Sequence, residues 1–205
     1  MAKLGGTSYK QTKFGILPRQ DVIPLEVTGT KKGLKLLQQI AAQNRALSLE
    51  FFKEIHKACF EDILLEDAGE FRTIQVTYSS KEAPLFAKIH EMLQTLCDDT
   101  EYALTHLSTP DSENYINSLV EILARYQHRF AFIHPFVDYN GRMARLFTNY
   151  ILMRLGLPII EIKIENEKDR VAYILALQKA DDGDYQEIEN LLAESLTESL
   201  SQIKE

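Results

Sequence analysis

Several residue types and patterns that mark whole classes of protein are scarce in this chain of 205 residues. It has two cysteines, Cys59 and Cys97, and both fall on the apolar face of a helical pattern. They predict reduced core side chains in a cytoplasmic protein rather than a disulfide framework. No run approaches the roughly 18 apolar residues of a membrane-spanning helix, and the first residues contain no apolar signal-peptide segment. We therefore expect no membrane association and no secretion through a signal peptide, while delivery into a host cell stays open.

The chain also contains fewer basic than acidic residues. The chain has 23 Lys and Arg residues against 30 Asp and Glu residues, which gives a net charge of −7. Its longest basic block is the pair Lys31-Lys32. A nucleic-acid-binding surface needs clustered basic side chains, so we expect no nucleic-acid partner. The hydrophobic fraction of 45% and the charged fraction of 26% are typical of a globular protein, and the length suits a single domain.

The apolar residues recur mostly at helical spacing. Residues 1–29 are polar, contain Gly and Pro and lack a clear period, so we predict an N-terminal arm there. Residues 30–205 carry apolar stripes with the period of an α-helix, which predicts one all-α domain. Within it, Ile74, Val76 and Tyr78 alternate with polar residues, the one clear strand pattern. This strand has two interpretations: a hairpin that covers the core, or an open edge that captures an extended target segment by β-addition.

One run of twelve residues, His134-Pro-Phe-Val-Asp-Tyr-Asn-Gly-Arg-Met-Ala-Arg145, concentrates the polar chemistry. An apolar helical pattern follows it, so its polar groups lie on a loop that ends at a helix N-terminus, where unpaired N–H groups favour an anion. Arg142 and Arg145 project from one face of the first helical turn and suit a polyphosphate. Asp138 offers an oxygen ligand for Mg²⁺, and His134 offers a base that titrates near neutral pH. Each residue alone is compatible with a structural role, but together they predict phosphoryl or nucleotidyl transfer.

This run resembles the signature of the Fic (Fic/Doc) family, His-Pro-Phe-x-(Asp/Glu)-Gly-Asn-Gly-Arg-x-x-Arg. It departs from that signature at Tyr139, where glycine is commonest. Two further segments are similar to the family: residues 68–73 resemble the approach to a β-hairpin flap, and residues 169–185 resemble the helix and turn that close the domain. The resemblance covers roughly residues 30–195. It implies an all-α, Fic-type helical bundle with a small β-hairpin flap.

For function, the resemblance implies a protein adenylyltransferase, which moves AMP from ATP to a Ser, Thr or Tyr hydroxyl of a target protein. His134 would then be the general base, Asp138 the Mg²⁺ ligand and Phe136 the apolar anchor of the loop. The strand pattern at residues 74–78 would be the flap that docks the target.

The same resemblance assigns the nucleotide contacts. Asn140 and Gly141 would form the cradle for the α-phosphate, Arg142 would bind the β-phosphate side, and Arg145 would orient the γ-phosphate. Tyr173 resembles a residue that lines the nucleoside pocket, although a core tyrosine fits its pattern equally well.

Tyr139 leaves the transferred group open. Tyrosine is disfavoured in the left-handed conformation that glycine adopts freely, so a ring at this position either points away from the phosphates or borders the site. The alternatives are transfer of another nucleotide, of phosphate or of phosphocholine on the same scaffold, and a non-catalytic nucleotide- or protein-binding module.

Regulation is predicted from the C-terminal residues. Many family members carry an inhibitory helix with the pattern (Ser/Thr)-x-x-x-Glu-(Gly/Asn), whose glutamate pairs with the second motif arginine. Residues 1–29 have no such pattern. Ser201-Gln-Ile-Lys-Glu205 fits its first five positions, so Ser201 and Glu205 are candidate inhibitory residues, with a solvated helix tail as the alternative. Otherwise an antitoxin-like partner chain or self-association would supply the inhibition.

Overall fold

The structure, a computed structural model, describes residues 9–164 and 166–203. In these ranges seven α-helices follow one another: α1 Arg19–Ala41, α2 Leu49–Leu64, α3 Ile89–Thr105, α4 Tyr115–Ile133, α5 Asn140–Arg154, α6 Glu167–Asp181 and α7 Gln186–Ile203. Two small antiparallel hairpins accompany them: β1 Tyr9–Thr12 with β2 Gly15–Pro18, and β3 Thr77–Tyr78 with β4 Lys81–Glu82. The prediction of an all-α bundle with a small β-hairpin is confirmed. No described helix combines the length and the apolar character needed to cross a membrane.

The core is built around α4, which is buried over most of its length. Aromatic rings from α2, α4 and α5 meet there edge to face: the centroid of Phe52 lies 4.7 Å from that of Phe147 and 5.2 Å from that of Phe130. Phe51 adds an edge contact with Tyr150 at 4.9 Å. Burial of each of these phenylalanines stabilises the fold by about 1.5–3 kcal/mol. The packing fixes the N-terminus of α5 relative to the C-terminus of α4.

Helix α1 begins inside the region predicted as an arm. Residues 19–29 are helical, and Val22 and Glu26 are buried. Pro24 and Gly29 interrupt the apolar pattern, which explains why the sequence shows no clear period there. Gly29 lets α1 approach α2 closely, because a Cβ at this position would lie 1.9 Å from the carbonyl oxygen of Cys59. The boundary at residue 29 therefore falls inside a helix that packs on the domain.

The flap hairpin is shorter than the strand predicted for residues 74–78. In this stretch β3 pairs with β4, and the carbonyl of Val76 still accepts the N–H of Ala83 at 3.0 Å. Ser79 and Ser80 join the two strands in a two-residue turn with φ values of 47° and 65°, as in the type I′ turns that suit the twist of a hairpin. Ile74 lies before the hairpin and is 58% exposed. Its carbonyl bonds to the guanidinium of Arg72 rather than to a partner strand, which is why the pairing stops short of it.

Candidate active site

His134 ends α4 beside a cavity under the flap. Its backbone is left-handed, with φ of 51°, and its N–H still bonds to the carbonyl of Phe130, so the residue caps the helix. The imidazole stacks on the ring of Tyr78 with centroids 4.1 Å apart, and its Nδ1 lies 3.2 Å from the carbonyl oxygen of Ala131. Because a carbonyl only accepts, Nδ1 carries the proton of the neutral ring and Nε2 keeps a free lone pair. Burial lowers the pKa of His134 to about 4, so the ring is neutral and able to accept a proton at pH 7.

The loop after His134 is held from inside by two buried side chains. Phe136 is fully buried and stacks on His56 with ring centroids 3.7 Å apart. The side-chain amide of Asn140 accepts from the N–H of Phe136 and donates to its carbonyl, both at 2.9 Å. Phe136 thus anchors the loop and Asn140 shapes it, while a bond from Asn140 to a phosphate stays a prediction.

Two buried side chains, His56 and Arg72, join this loop to the segment that leads into the flap. His56 Nδ1 accepts from the N–H of Gly69 at 2.9 Å, so the neutral ring presents its Nε2–H to the carbonyl of Asp138, 3.4 Å away. Burial lowers the pKa of His56 to about 4, which keeps that ring neutral. Arg72 donates to the carbonyl of His134 at 2.7 Å and to two carbonyls of the flap segment. Helical spacing predicts only a core position for His56, so sequence reasoning missed the positioning role of both residues.

Tyr139 occupies the position that is commonly glycine, with its backbone left-handed at φ of 64°. This conformation costs a non-glycine residue about 1–3 kcal/mol, and several contacts offset the cost. The ring stacks on Phe60 with centroids 4.1 Å apart, and the hydroxyl donates to Glu26 Oε1 at 2.8 Å. Lys10 donates to the same hydroxyl at 3.0 Å. The ring therefore packs against α1, α2 and the β1–β2 hairpin, pointing away from the cavity beside His134.

Glu26 is a site residue that sequence reasoning missed. Its carboxylate is 1% exposed and accepts from Arg142 Nη2 at 2.7 Å, from Arg19 and from the hydroxyl of Tyr139. Burial alone would raise the pKa of Glu26, but the bonds from Arg19 and Arg142 more than offset it and hold that pKa below its usual value. The available signal was that Glu26 is the one acidic residue in the apolar stretch Val22–Val27. This stretch does not match the inhibitory pattern, because Val22 stands where the pattern has Ser or Thr and Val27 stands where it has Gly or Asn.

Asp138 places its carboxylate at the edge of the loop, with the side chain 52% exposed. Oδ1 accepts the N–H of Tyr139 at 2.7 Å, and Oδ2 accepts from Lys10 Nζ at 2.7 Å. Among the described residues, no three carboxylate, histidine or cysteine side chains cluster as a metal site. One carboxylate fits Mg²⁺ that arrives with a nucleotide, because protein-bound Mg²⁺ is usually held by one or two carboxylates plus substrate phosphates.

The N-terminus of α5 separates two concave regions. The cavity of about 160 Å³ beside His134 is lined by Gly141, Tyr78, Tyr173 and Asp181, among others. On the other side, a groove of about 930 Å³ is lined by Glu26, Arg142 and Arg145, among others. The N–H groups of Asn140 and Gly141 begin the helix and have no intrahelical acceptors. This helix end therefore offers an anion two backbone donors and two guanidiniums.

Tyr173 and its neighbours form the wall of the cavity. The hydroxyl of Tyr173 accepts from Gln127 at 3.1 Å, and the guanidinium of Arg145 lies 5.6 Å from the centroid of its ring. Asp181 bonds to His128 at 3.0 Å and also pairs with Lys81 of the flap. The predicted nucleoside position and the flap thus meet at one cavity.

The remaining predicted residues lie elsewhere. Ile74 and Val76 belong to the flap segment ahead of β3. Ser201 is exposed on α7 and bonds to the carbonyl of Glu198. Glu205 lies outside the described residues, so the predicted inhibitory pair is not tested, although Glu198 lines the same groove as the two motif arginines.

Several known proteins are similar to this chain in sequence or in fold. A protein adenylyltransferase Fic of Nematostella vectensis is 29% identical over 175 residues, which are 85% of this chain and 38% of that relative. A solved structure of Fic-1 from C. elegans superposes with a TM-score of 0.70 at 25% identity, covering 87% of this chain and 51% of that one. BepC of Bartonella tribocorum, solved with bound AMPPNP, shares the fold with a TM-score of 0.68 at 16% identity over 93% of both chains.

The chain spans only about a third of the length of the curated relatives it matches. The model of the Fic/DOC family matches residues 46–152, more than half of the chain and the whole of the loop from His134 to Arg145. The chain therefore belongs to the Fic/DOC family.

Proposed function

We propose that the chain is a protein adenylyltransferase, which transfers AMP from ATP to a Ser, Thr or Tyr hydroxyl of a target protein. One observation carries the proposal: a neutral His134 with a free Nε2 borders the same cavity as Gly141 in the first turn of α5. A base and an anion-binding helix end thus lie within reach of one substrate. The activity named for the curated relatives, protein adenylyl transfer, supports the same reaction.

In this proposal His134 Nε2 takes the proton from the target hydroxyl as its oxygen attacks the α-phosphorus. The new bond joins that oxygen to phosphorus, the bond from phosphorus to the bridging oxygen breaks, and diphosphate leaves. The low pKa of His134 keeps Nε2 unprotonated until the hydroxyl arrives. Asp138 would hold Mg²⁺, which when bound offsets the charge that develops on the phosphates.

The first turn of α5 is suited to the phosphates. Its free N–H groups and the positive end of the helix dipole favour the α-phosphate. Arg142 Nη1 is buried and has no hydrogen-bond partner among the described residues. Because buried donors are normally paired, this N–H group is available to donate to a phosphate oxygen. Arg145 is the second guanidinium on the same turn, beside Tyr173. ATP is the proposed donor because the curated relatives are named protein adenylyltransferases, and Tyr139, the departure from the signature, packs on Phe60 rather than lining the cavity.

We further propose that Glu26 restrains the site. A polyphosphate and the Glu26 carboxylate would compete for the guanidinium of Arg142, and Glu26 holds it in the structure. Removal of the carboxylate by Glu26→Gly is expected to raise activity. Ser201 and Glu205 stay as the alternative inhibitory residues, to be tested by Glu205→Gly.

Target docking is assigned to the flap. Ile74 is exposed, and Tyr78 of β3 stacks on the base itself. An extended target segment lying along β3 would bring its hydroxyl toward His134. The proposed partner is therefore a protein with an accessible Ser, Thr or Tyr in an extended segment.

The experiment incubates Glu26→Gly with Mg²⁺ and ATP labelled on either the α- or the γ-phosphate, with a cell lysate as acceptor. We expect transfer of the α-label, its loss when His134→Ala is added, and its retention with His106→Ala, which removes an exposed histidine. Transfer of the γ-label would replace the proposal with phosphoryl transfer. Retention of the α-label in the His134→Ala variant would refute the assignment of the base, and no transfer from either position would leave a binding module.

A further inference from the structure

Asp138, the residue proposed to hold Mg²⁺, already has a cation bonded to it. Lys10 Nζ lies 2.7 Å from Oδ2. The other oxygen, Oδ1, accepts the N–H of Tyr139 at 2.7 Å. Oδ2 is the oxygen that no backbone N–H of the described residues occupies, and it is the one that Lys10 contacts.

Lys10 is held by more than this ion pair. Its ammonium donates to the hydroxyl of Tyr139 at 3.0 Å and lies 4.4 Å from the centroid of that ring. The Lys10 side chain is only 25% exposed. Its hairpin is anchored at the far end of β1, where Thr12 is buried and the N–H of Lys13 bonds to the carbonyl of Asp62. Tyr139, the one departure from the family signature, thus supplies two of the contacts that place an ammonium on Asp138.

We propose that Lys10 is a tethered ammonium that competes with Mg²⁺ for Asp138 and so sets the metal concentration at which the site fills. The proposal rests on the proposed function in taking Asp138 as the Mg²⁺ ligand. An ammonium and a divalent ion at one oxygen repel each other, so metal binding has to displace Lys10. Lys10 reaches Asp138 through a flexible four-carbon stem, so a change of rotamer takes its ammonium away from Oδ2 and leaves the helical core in place.

The same geometry leads to a different expectation if Lys10 binds phosphate. A lysine that stays in the site as a second cation would strengthen nucleotide binding even without metal. A lysine that competes with Mg²⁺ would affect the metal requirement and leave metal-free nucleotide binding unchanged. Measurements with and without metal separate these two roles.

The test uses the full chain with Lys10→Met, which keeps the apolar stem that packs on Tyr139. Lys13→Met is the matched control, because Lys13 lies in the same hairpin and pairs with Asp62 instead. Mn²⁺ alone is the probe, and its binding is followed by paramagnetic broadening of the amide NMR signals of residues 138–142. We expect half-maximal broadening of Lys10→Met at about fivefold lower Mn²⁺, the scale of a partly exposed ion pair. Lys13→Met should match wild type, and adding Asp138→Asn should abolish the broadening of Lys10→Met.

Equal Mn²⁺ midpoints for wild type and Lys10→Met would overturn the proposal, as would an equal shift in Lys13→Met. Lys10→Arg keeps the charge and should behave as wild type, so a shift there as large as in Lys10→Met would point to loss of hairpin docking instead. Weaker binding of a non-hydrolysable ATP analogue by Lys10→Met in EDTA would make Lys10 a phosphate ligand and refute the competition. Because Mn²⁺ is measured without nucleotide, failure of adenylyl transfer would leave this result interpretable.

Discussion

Glutamine in place of Glu26 would keep the volume of this side chain and remove its charge. The carboxylate is 1% exposed and bonds to Arg142 Nη2 at 2.7 Å. Two unit charges about 4 Å apart interact by about 4 kcal/mol at an effective dielectric constant of 20. Because the Arg142 side chain is 31% exposed, solvent screening reduces the effect to about 1–2 kcal/mol, a factor of about 5–30 in an equilibrium constant. We therefore expect Glu26→Gln to bind a non-hydrolysable ATP analogue about 5–30-fold more tightly than wild type.

Isothermal titration calorimetry in the presence of Mg²⁺ measures this affinity. Glu61→Gln is the matched control, because it removes an exposed ion pair with Lys32 between α1 and α2 and should leave the affinity unchanged. Wild-type affinity in a Glu26→Gln protein that still unfolds cooperatively would show that Glu26 does not compete with the nucleotide for Arg142. An equal gain in Glu61→Gln would show that overall charge, rather than release of Arg142, causes the effect.

Three further predictions follow from the burial of particular side chains. Because the pKa of His134 is lowered to about 4, the rate of adenylyl transfer should stay constant as pH falls from about 8 to about 5 and should decline only toward pH 4. A decline of the rate centred near pH 6.5 would contradict this prediction. The pKa of Glu26 lies below its usual value, so its ion pairs stabilise the fold above the unfolded pKa of about 4.5, and this contribution is lost as pH falls through the folded pKa. Urea unfolding should therefore favour wild type over Glu26→Gln more at pH 7 than at pH 3, and a constant difference would argue against the pairing. Phe147→Ala should cost about 3–5 kcal/mol in the same assay, since this ring is fully buried among four others, and a loss below 1 kcal/mol would contradict the described core.

The parts of the site that lie close together in the chain were predictable. The run from His134 to Arg145 carries a histidine, a carboxylate and two arginines within one loop and one helical turn, so spacing alone brings them together. The helical bundle also followed from apolar spacing, because α2, α3, α4 and α7 are amphipathic and bury one face.

The contacts of Glu26 with Arg142 and of Lys10 with Asp138 were not predictable, because they join residues that are far apart in the chain. Glu26 is 116 positions from Arg142, and Lys10 is 128 positions from Asp138. Both lie in a segment whose Gly, Pro and polar residues hide a hairpin and the start of α1. The lowered pKa of His134 could not be predicted from the sequence either, since it depends on burial of the ring under Tyr78 rather than on sequence spacing.

Peptide mass spectrometry detects the proposed product, a target peptide that has gained AMP, and shows whether its formation requires His134. Glu26→Gly would be incubated with Mg²⁺, ATP and a cell lysate, beside the same protein carrying His134→Ala. We expect peptides with one AMP on a Ser, Thr or Tyr hydroxyl in the first reaction and none in the second. AMP-bearing peptides at equal yield in both reactions, or peptides that gain phosphate alone, would contradict it.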